Sequence, residues 1–261
     1  MLNHLFLLDM KNKIIFLLLF NIIAISCDQD KSLEIASKSL TEGDLNLCEN
    51  RICPEITINY LEAFGNDEVA SRINKRLNDF IINSLTISEG SSQALQTIEE
   101  AASNFANSYF EDKSRFPDMA ADYFAEVSIS EIYNTPELIC FEMRQYLYTG
   151  GAHGYGTTTF LNIDPETGNE VSIDNIVNDK KKFIAFAESK FRSQQNIDKD
   201  QSINEVGFWF EDDTFYLPET VGFTTDSLIF VYNQYDIASY ADGPIELKIP
   251  LKDAKPFLSK P

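Results

Sequence analysis

Asp122–Gly154 reads DYFAEVSISEIYNTPELICFEMRQYLYTGGAHG, and its spacing decides the fold. Tyr123, Ala125, Val127 and Ile129 alternate with other residues, which puts them on one face of a strand, because successive side chains in a strand point to opposite sides. Asn134–Glu137 supplies turn residues, and beyond it Ile139, Phe141, Met143 and Leu147 resume the period of two. Two alternating runs joined by a short turn predict an antiparallel hairpin. Cys140 lies in the second run and reads as a small buried hydrophobe. The run closes on Tyr146, Tyr148, Gly150, Gly151, His153 and Gly154. Three glycines in five residues let the backbone take positive φ and approach a neighbouring backbone closely.

Upstream of the hairpin the period changes. Asn66 can cap a helix begun by Asp67 and Glu68, and Val69, Ile73, Leu77, Phe80, Ile81 and Leu85 recur at helical spacing. After Gly90 a second stripe, Leu95, Ile98, Ala102, Phe105 and Tyr109, ends before Pro117. Glu55–Leu61 alternates through Ile56, Ile58 and Tyr60 and predicts a strand. Downstream, Phe160 and Asn162 lead through the Asp164–Asn169 turn to Val171 and Ile173, a second predicted hairpin. Asp174 or Asp179 opens a helix through Phe183, Phe186, Ala187 and Phe191, and Phe208–Tyr216, Ser227–Tyr232 and Ile245–Ile249 read as short strands. Early helices and later strands predict an α+β fold, an antiparallel sheet with helices packed on one face, in two closely associated subdomains at 47–145 and 146–258. Residues 27–46 are polar and acidic without an apolar period, which predicts a flexible tether.

The first residues speak to the compartment. Lys11 and Lys13 precede a near-apolar run from Ile14 to Ile25, followed by Ser26, Cys27 and Asp28. Twelve residues at about 1.5 Å each fall short of a bilayer core of about 30 Å, so residues 1–26 read as a signal peptide rather than a membrane span. Ala24, Ser26 and Cys27 resemble the lipobox of bacterial lipoproteins, in which the cysteine receives lipid and becomes the mature N-terminus. That resemblance implies an extracytoplasmic protein anchored to a bacterial membrane, with the outer membrane favoured. Met10 begins a cleaner signal than Met1 and is the expected start.

The chain of 261 residues carries net charge −20 and is 44% hydrophobic and 12% aromatic. It is too rich in core formers to be disordered. Its charge repels nucleic acid and anionic lipid and speeds encounter with cationic partners. With Cys27 lipidated, Cys48, Cys53 and Cys140 remain, enough in an oxidising compartment for one bridge and one thiol. Cys48 with Cys53 is the expected pair and Cys53 with Cys140 the alternative. No cofactor or metal site is expected, because a zinc site would lack histidines.

Tyr146–Gly154 also resembles the hallmark of an extracytoplasmic bacterial family, the domain of unknown function 3298, often preceded by the domain of unknown function 4163. Asn162–Asp174 is similar to the segment that follows the glycine loop in that family. Tyr235-Asp236-Ile237-Ala238-Ser239-Tyr240-Ala241-Asp242-Gly243, leading into Ile245–Pro250, is similar to its closing motif. Cys48–Tyr60 is similar to the start of the preceding domain, so the resemblance spans roughly residues 45–258. Members include the sensory region of a lysozyme-binding anti-sigma factor and an accessory region of a peptidoglycan deacetylase. The resemblance implies a lipid-tethered binding module, with lysozyme or peptidoglycan as partners. With it, Tyr235 and Tyr240 join Tyr146, Tyr148, Gly150, Gly151, His153 and Gly154 as candidate binding or structural loop residues.

An enzyme has thinner support. No Gly-x-Ser-x-Gly elbow or phosphate-binding glycine loop is present. A nucleophilic site would have to be built on His153, the one histidine after residue 26, so no catalytic residue is assigned. A peptidoglycan-modifying enzyme or accessory subunit centred on the His153 loop is the alternative reading. Glu211, Asp212 and Asp213 read as a solvated hairpin tip rather than a calcium site, and in the Asp164 loop Gly168 comes one position too early for calcium. Phe208, Trp209, Phe210 and Phe215 could line a sugar-binding surface, with alternation burying about half of them.

Overall fold

A computed structural model describes residues 32–87, 95–119 and 121–259. The expected signal peptide, the lipidation at Cys27 and the start at Met10 lie outside the described residues. Among those that are described, no helix is long and apolar enough to cross a membrane.

Five strands form the larger sheet: β1 (Glu34–Thr41), β2 (Glu55–Phe64), β3 (Phe124–Asn134), β4 (Ile139–Tyr148) and β5 (Tyr155–Ile163), in that spatial order. The β1–β2, β3–β4 and β4–β5 pairs are antiparallel. The β2–β3 pair is parallel. A parallel pair needs a long crossover, here supplied by helices α1 (Asp67–Leu85) and α2 (Ile98–Arg115). Asn66 Oδ1 accepts from the Val69 N–H at 3.3 Å to start α1. Thr97 and Glu100 form a reciprocal capping box at the start of α2. The register sets Ile56 beside Ala125, Ile58 beside Val127, Ile129 beside Met143 and Phe141 beside Leu161. All face the helices and join Ile73, Leu77, Ile81 and Phe105 in one core, where burying each aliphatic side chain contributes about 1.5–3 kcal/mol.

The opposite face of β4 and β5 offers Cys140 and Phe160 to a second core, joined by Leu138 just before β4. That core contains helix α3 (Ile173–Ile176), helix α4 (Lys180–Gln195), helix α5 (Leu251–Ala254) and a three-stranded sheet of β6 (Gly222–Phe223), β7 (Ser227–Tyr232) and β8 (Ile245–Pro250). Gly222 is required at this contact, since a β-carbon there would stand 2.5 Å from the Phe160 ring.

Several expectations need correction. Residues 34–41 are not part of a flexible tether: all eight pair with β2, from Glu34 beside Phe64 to Thr41 beside Thr57. An edge strand is held by its backbone ladder and needs little apolar surface, which is why its composition looked like a linker. The boundary between 145 and 146 falls inside β4, and β5 belongs to the first sheet, so the two cores divide across the sheet rather than along the chain. Phe208–Tyr216 is not a strand. It turns through a short 3-10 helix at Glu211–Asp213, with Asp212 and Asp213 at positive φ. Its backbone is paired by a side chain instead: Asn204 Oδ1 accepts from the Phe210 N–H at 2.7 Å and Asn204 Nδ2 donates to the Phe210 carbonyl at 2.8 Å. The second hairpin shrinks to one bridge, Ile163 with Glu170, and Ile173 starts α3.

Candidate functional site

The glycine loop and the 235–243 segment meet on one exposed surface. Gly150 and Gly151, at φ of 100° and 90°, reverse the chain after β4, and the Tyr148 hydroxyl donates to the Gly151 carbonyl at 3.1 Å. Gly154 lies over the Tyr146 ring so closely that a β-carbon would stand 2.4 Å from its hydroxyl oxygen and 2.7 Å from the Leu147 carbonyl. Between these points His153 projects. Its ring stacks on Tyr240, with centroids 3.7 Å apart and planes 20° from parallel. His153 Nε2 lies 3.3 Å from the Tyr235 hydroxyl and Nδ1 lies 3.0 Å from the Gly154 carbonyl. Since a carbonyl only accepts, this geometry requires a proton on Nδ1, and Nε2 pairs with the Tyr235 hydroxyl.

The opposing segment is held from several sides. Tyr235 takes a left-handed backbone, φ 72°. Asp236 Oδ2 accepts from the Asn233 N–H at 2.7 Å, and Asp242 accepts from both the N–H and the hydroxyl of Ser239. Asn233 pins the segment to the outer edge of β5: its Oδ1 accepts from the Thr158 N–H at 2.7 Å and its Nδ2 donates to the Thr158 carbonyl at 3.2 Å. The Trp209 N–H donates to the Ile237 carbonyl and the Tyr216 hydroxyl to the Asp236 carbonyl. Trp209 is 47% and Tyr235 50% exposed, so aromatic surface faces solvent here. The Tyr155 and Tyr216 phenols are pushed up from their ordinary value, by burial first and then by the Asp236 charge.

Beside this cluster a groove of about 360 Å³ opens on the face of the sheet opposite α1 and α2, lined by Glu126, Ser128, Arg144, Tyr146, Thr158 and Gln234.

The arrangement is suited to binding. Each nitrogen of His153 already has a partner, one of them a backbone carbonyl. Among the described residues no group of three or more His, Cys, Asp or Glu could hold a metal. Cys140 is buried in β4, where its sulfur accepts from the Phe223 N–H at 3.3 Å and burial pushes the thiol up to about 12, so it stays a thiol at neutral pH. Cys48 and Cys53 form a disulfide, and the enclosed Arg51 lays its guanidinium 3.7 Å from the Phe110 ring centroid. Asp213 accepts from the Ser202 hydroxyl and the Asn204 N–H, bonds that hold its carboxyl below the usual range. The acidic tip is thus a structural bracket. Of the four aromatic residues between 208 and 215, Phe210 and Phe215 are buried.

All eight candidate loop residues lie in or against this surface. Sequence reasoning quoted Asp236 within the closing motif without giving it a role, and missed Asn233, Tyr155, Tyr216 and the groove residue Arg144. Asn233, Tyr155 and Tyr216 matter through partners far along the chain, and no local spacing marks them.

Residues 47–155 match the family model described as Deacetylase PdaC, and residues 173–252 match that described as Protein of unknown function (DUF3298). The glycine loop, likened above to the latter family, falls in the former segment, so His153 comes from one match and Tyr235 and Tyr240 from the other. No curated protein matches the chain. Among solved structures, a member of the DUF3298 family from Bacteroides fragilis aligns with a TM-score of 0.66 at 20% identity, covering 88% of this chain and 95% of that one. A DUF3298 family protein from Pseudomonas aeruginosa aligns with a TM-score of 0.56 at 19% identity, covering 89% and 96%. The chain therefore shares the fold of solved DUF3298 family proteins, and its site is assembled where a PdaC-like segment meets a DUF3298-like one.

Proposed function

We propose that this chain is an extracytoplasmic module of the bacterial envelope, lipid-anchored through Cys27, that binds cell-wall peptidoglycan with the His153–Tyr235–Tyr240 surface. One observation carries the reading: two motifs 82 residues apart close into a single exposed aromatic surface, with a histidine stacked at its centre. Exposed rings with polar tips suit a ligand that is apolar on one side and hydroxylated on the other. Similarity to a segment named for a deacetylase supports a role beside wall chemistry. The partners already taken by His153 favour an accessory over an enzyme.

The test is co-sedimentation of the chain with insoluble peptidoglycan at physiological salt, with an unrelated basic protein as control. Saturable capture that Tyr240→Ala abolishes is the expected result, and no capture overturns the reading. Acetate or soluble fragments released during incubation, and lost in His153→Ala, would return the enzyme. Net charge −20 favours a second reading, a cationic protein such as lysozyme. Capture of lysozyme but not of the basic control would support it.

A further inference from the structure

We propose that the groove beside the His153 surface is a subsite for a short, uncharged oligosaccharide. The inference rests on the wall-binding reading and adds the chemistry of the bound portion: glycan rather than peptide. At about 360 Å³ the groove lies within the range of small-molecule sites. Its floor is set by strand register, which places Glu126 beside Tyr146, Ser128 beside Arg144, and Arg144 beside Thr158 across three strands. Gln234 comes from the far wall.

Three features select the ligand. The first is charge. In a chain of net −20 this lining holds one cation, Arg144, and one carboxylate, Glu126, and Arg144 also bonds Glu142 at 2.8 Å. The Arg144 guanidinium and the Glu126 carboxylate thus leave the groove with no net charge to attract an anion or a cation. The second is the pairing of an aromatic plane with hydroxyl and amide groups. Tyr146, 40% exposed, offers a flat face to the C–H side of a pyranose, while Ser128, Thr158, Gln234 and Arg144 offer donors and acceptors to its hydroxyls. The third excludes a peptide added as a further strand, which would need a free strand edge. Asn233 occupies both backbone groups of Thr158, and the Thr220 hydroxyl accepts from the Phe160 N–H at 3.3 Å. Tyr146 also lies against Gly154, one residue from His153, so the groove and the His153 stack share a border.

The test is calorimetric titration of the full chain, in detergent, with chitotetraose, and separately with an uncharged tetrapeptide. Saturable binding of the sugar is expected, weakened roughly tenfold in Arg144→Gln and in Tyr146→Leu, the scale of one well-packed contact. Tyr146 supports the glycine loop, so Gln234→Ala, a change on the groove wall alone, is the third variant and is expected to weaken binding about threefold, or roughly 0.6 kcal/mol. No sugar binding, equal affinity in all three variants, or tighter binding of the peptide would overturn the proposal. If wall capture persists while chitotetraose fails to bind, the groove assignment falls and the envelope reading stands. If wall capture fails, the envelope reading falls on its own experiment.

Discussion

The two faces of the large sheet are filled by different chemistry. On one, α1 lays Val69, Ile73, Leu77, Ile81 and Leu85, and α2 lays Ile98, Ala102 and Phe105, onto strand residues such as Ile56, Ile58 and Val127, a mainly aliphatic layer made of regular elements. On the other, the filling is rings. Phe191 alone has Phe208, Phe210, Phe215 and Tyr232 within 5.3 to 5.8 Å between centroids. Large planar side chains fill space between irregular loops that a few aliphatic residues could not span. The loops they support are the ones that carry Trp209, Tyr216 and Tyr235 at the surface. The regular layer is thus built from segments with their own apolar period, and the irregular layer carries the candidate site.

That contrast can be broken most directly in the cores. Phe191→Ala should cost about 3–5 kcal/mol in urea denaturation and Leu77→Ala about 2–5, both by leaving cavities. Only the Phe191 change should also reduce wall capture under conditions where the protein stays folded. Equal loss of capture in both would show that the ring layer has no special hold on the site. Removing the Cys48–Cys53 bridge closes off a smaller effect, about 2 kcal/mol by loop entropy, read as a lower Tm with capture retained. Asn233→Ala should cost about 1 kcal/mol by leaving Thr158 unpaired, yet it should weaken capture more than its stability cost suggests, because it frees the segment bearing Tyr235.

The smallest effect at neutral pH sharpens the same comparison from the aliphatic side. Burial, then hydrogen bonds to Asp122 and Asp112, push the Tyr109 and Tyr123 phenols from 10.0 up to about 12. The folded state therefore favours the protonated phenol. Its stabilisation is complete below about pH 10 and is lost as pH rises towards about 12. Tyr109→Phe should flatten stability against pH in that window, checked by urea midpoints alongside tyrosinate absorbance. An unchanged slope would remove the two phenols from the alkaline transition.

The hairpin at 122–148, both long helices and the α+β class were legible in the sequence, because apolar period is a property of each segment's own geometry. Val69 to Leu85 recur every three or four residues, whatever lies opposite. Tyr235 and Tyr240 became candidates through resemblance, since nothing in their spacing marks them. Tertiary structure alone decided that the polar residues 34–41 are an edge strand, that β2 and β3 run parallel, and that the aromatic stretch 208–216 is not a strand at all. It alone stacked His153 on Tyr240 and drew Glu126, Arg144 and Gln234 into one groove. Each of these depends on which distant backbone or ring completes a contact, and a local pattern of polar and apolar residues does not encode its partner.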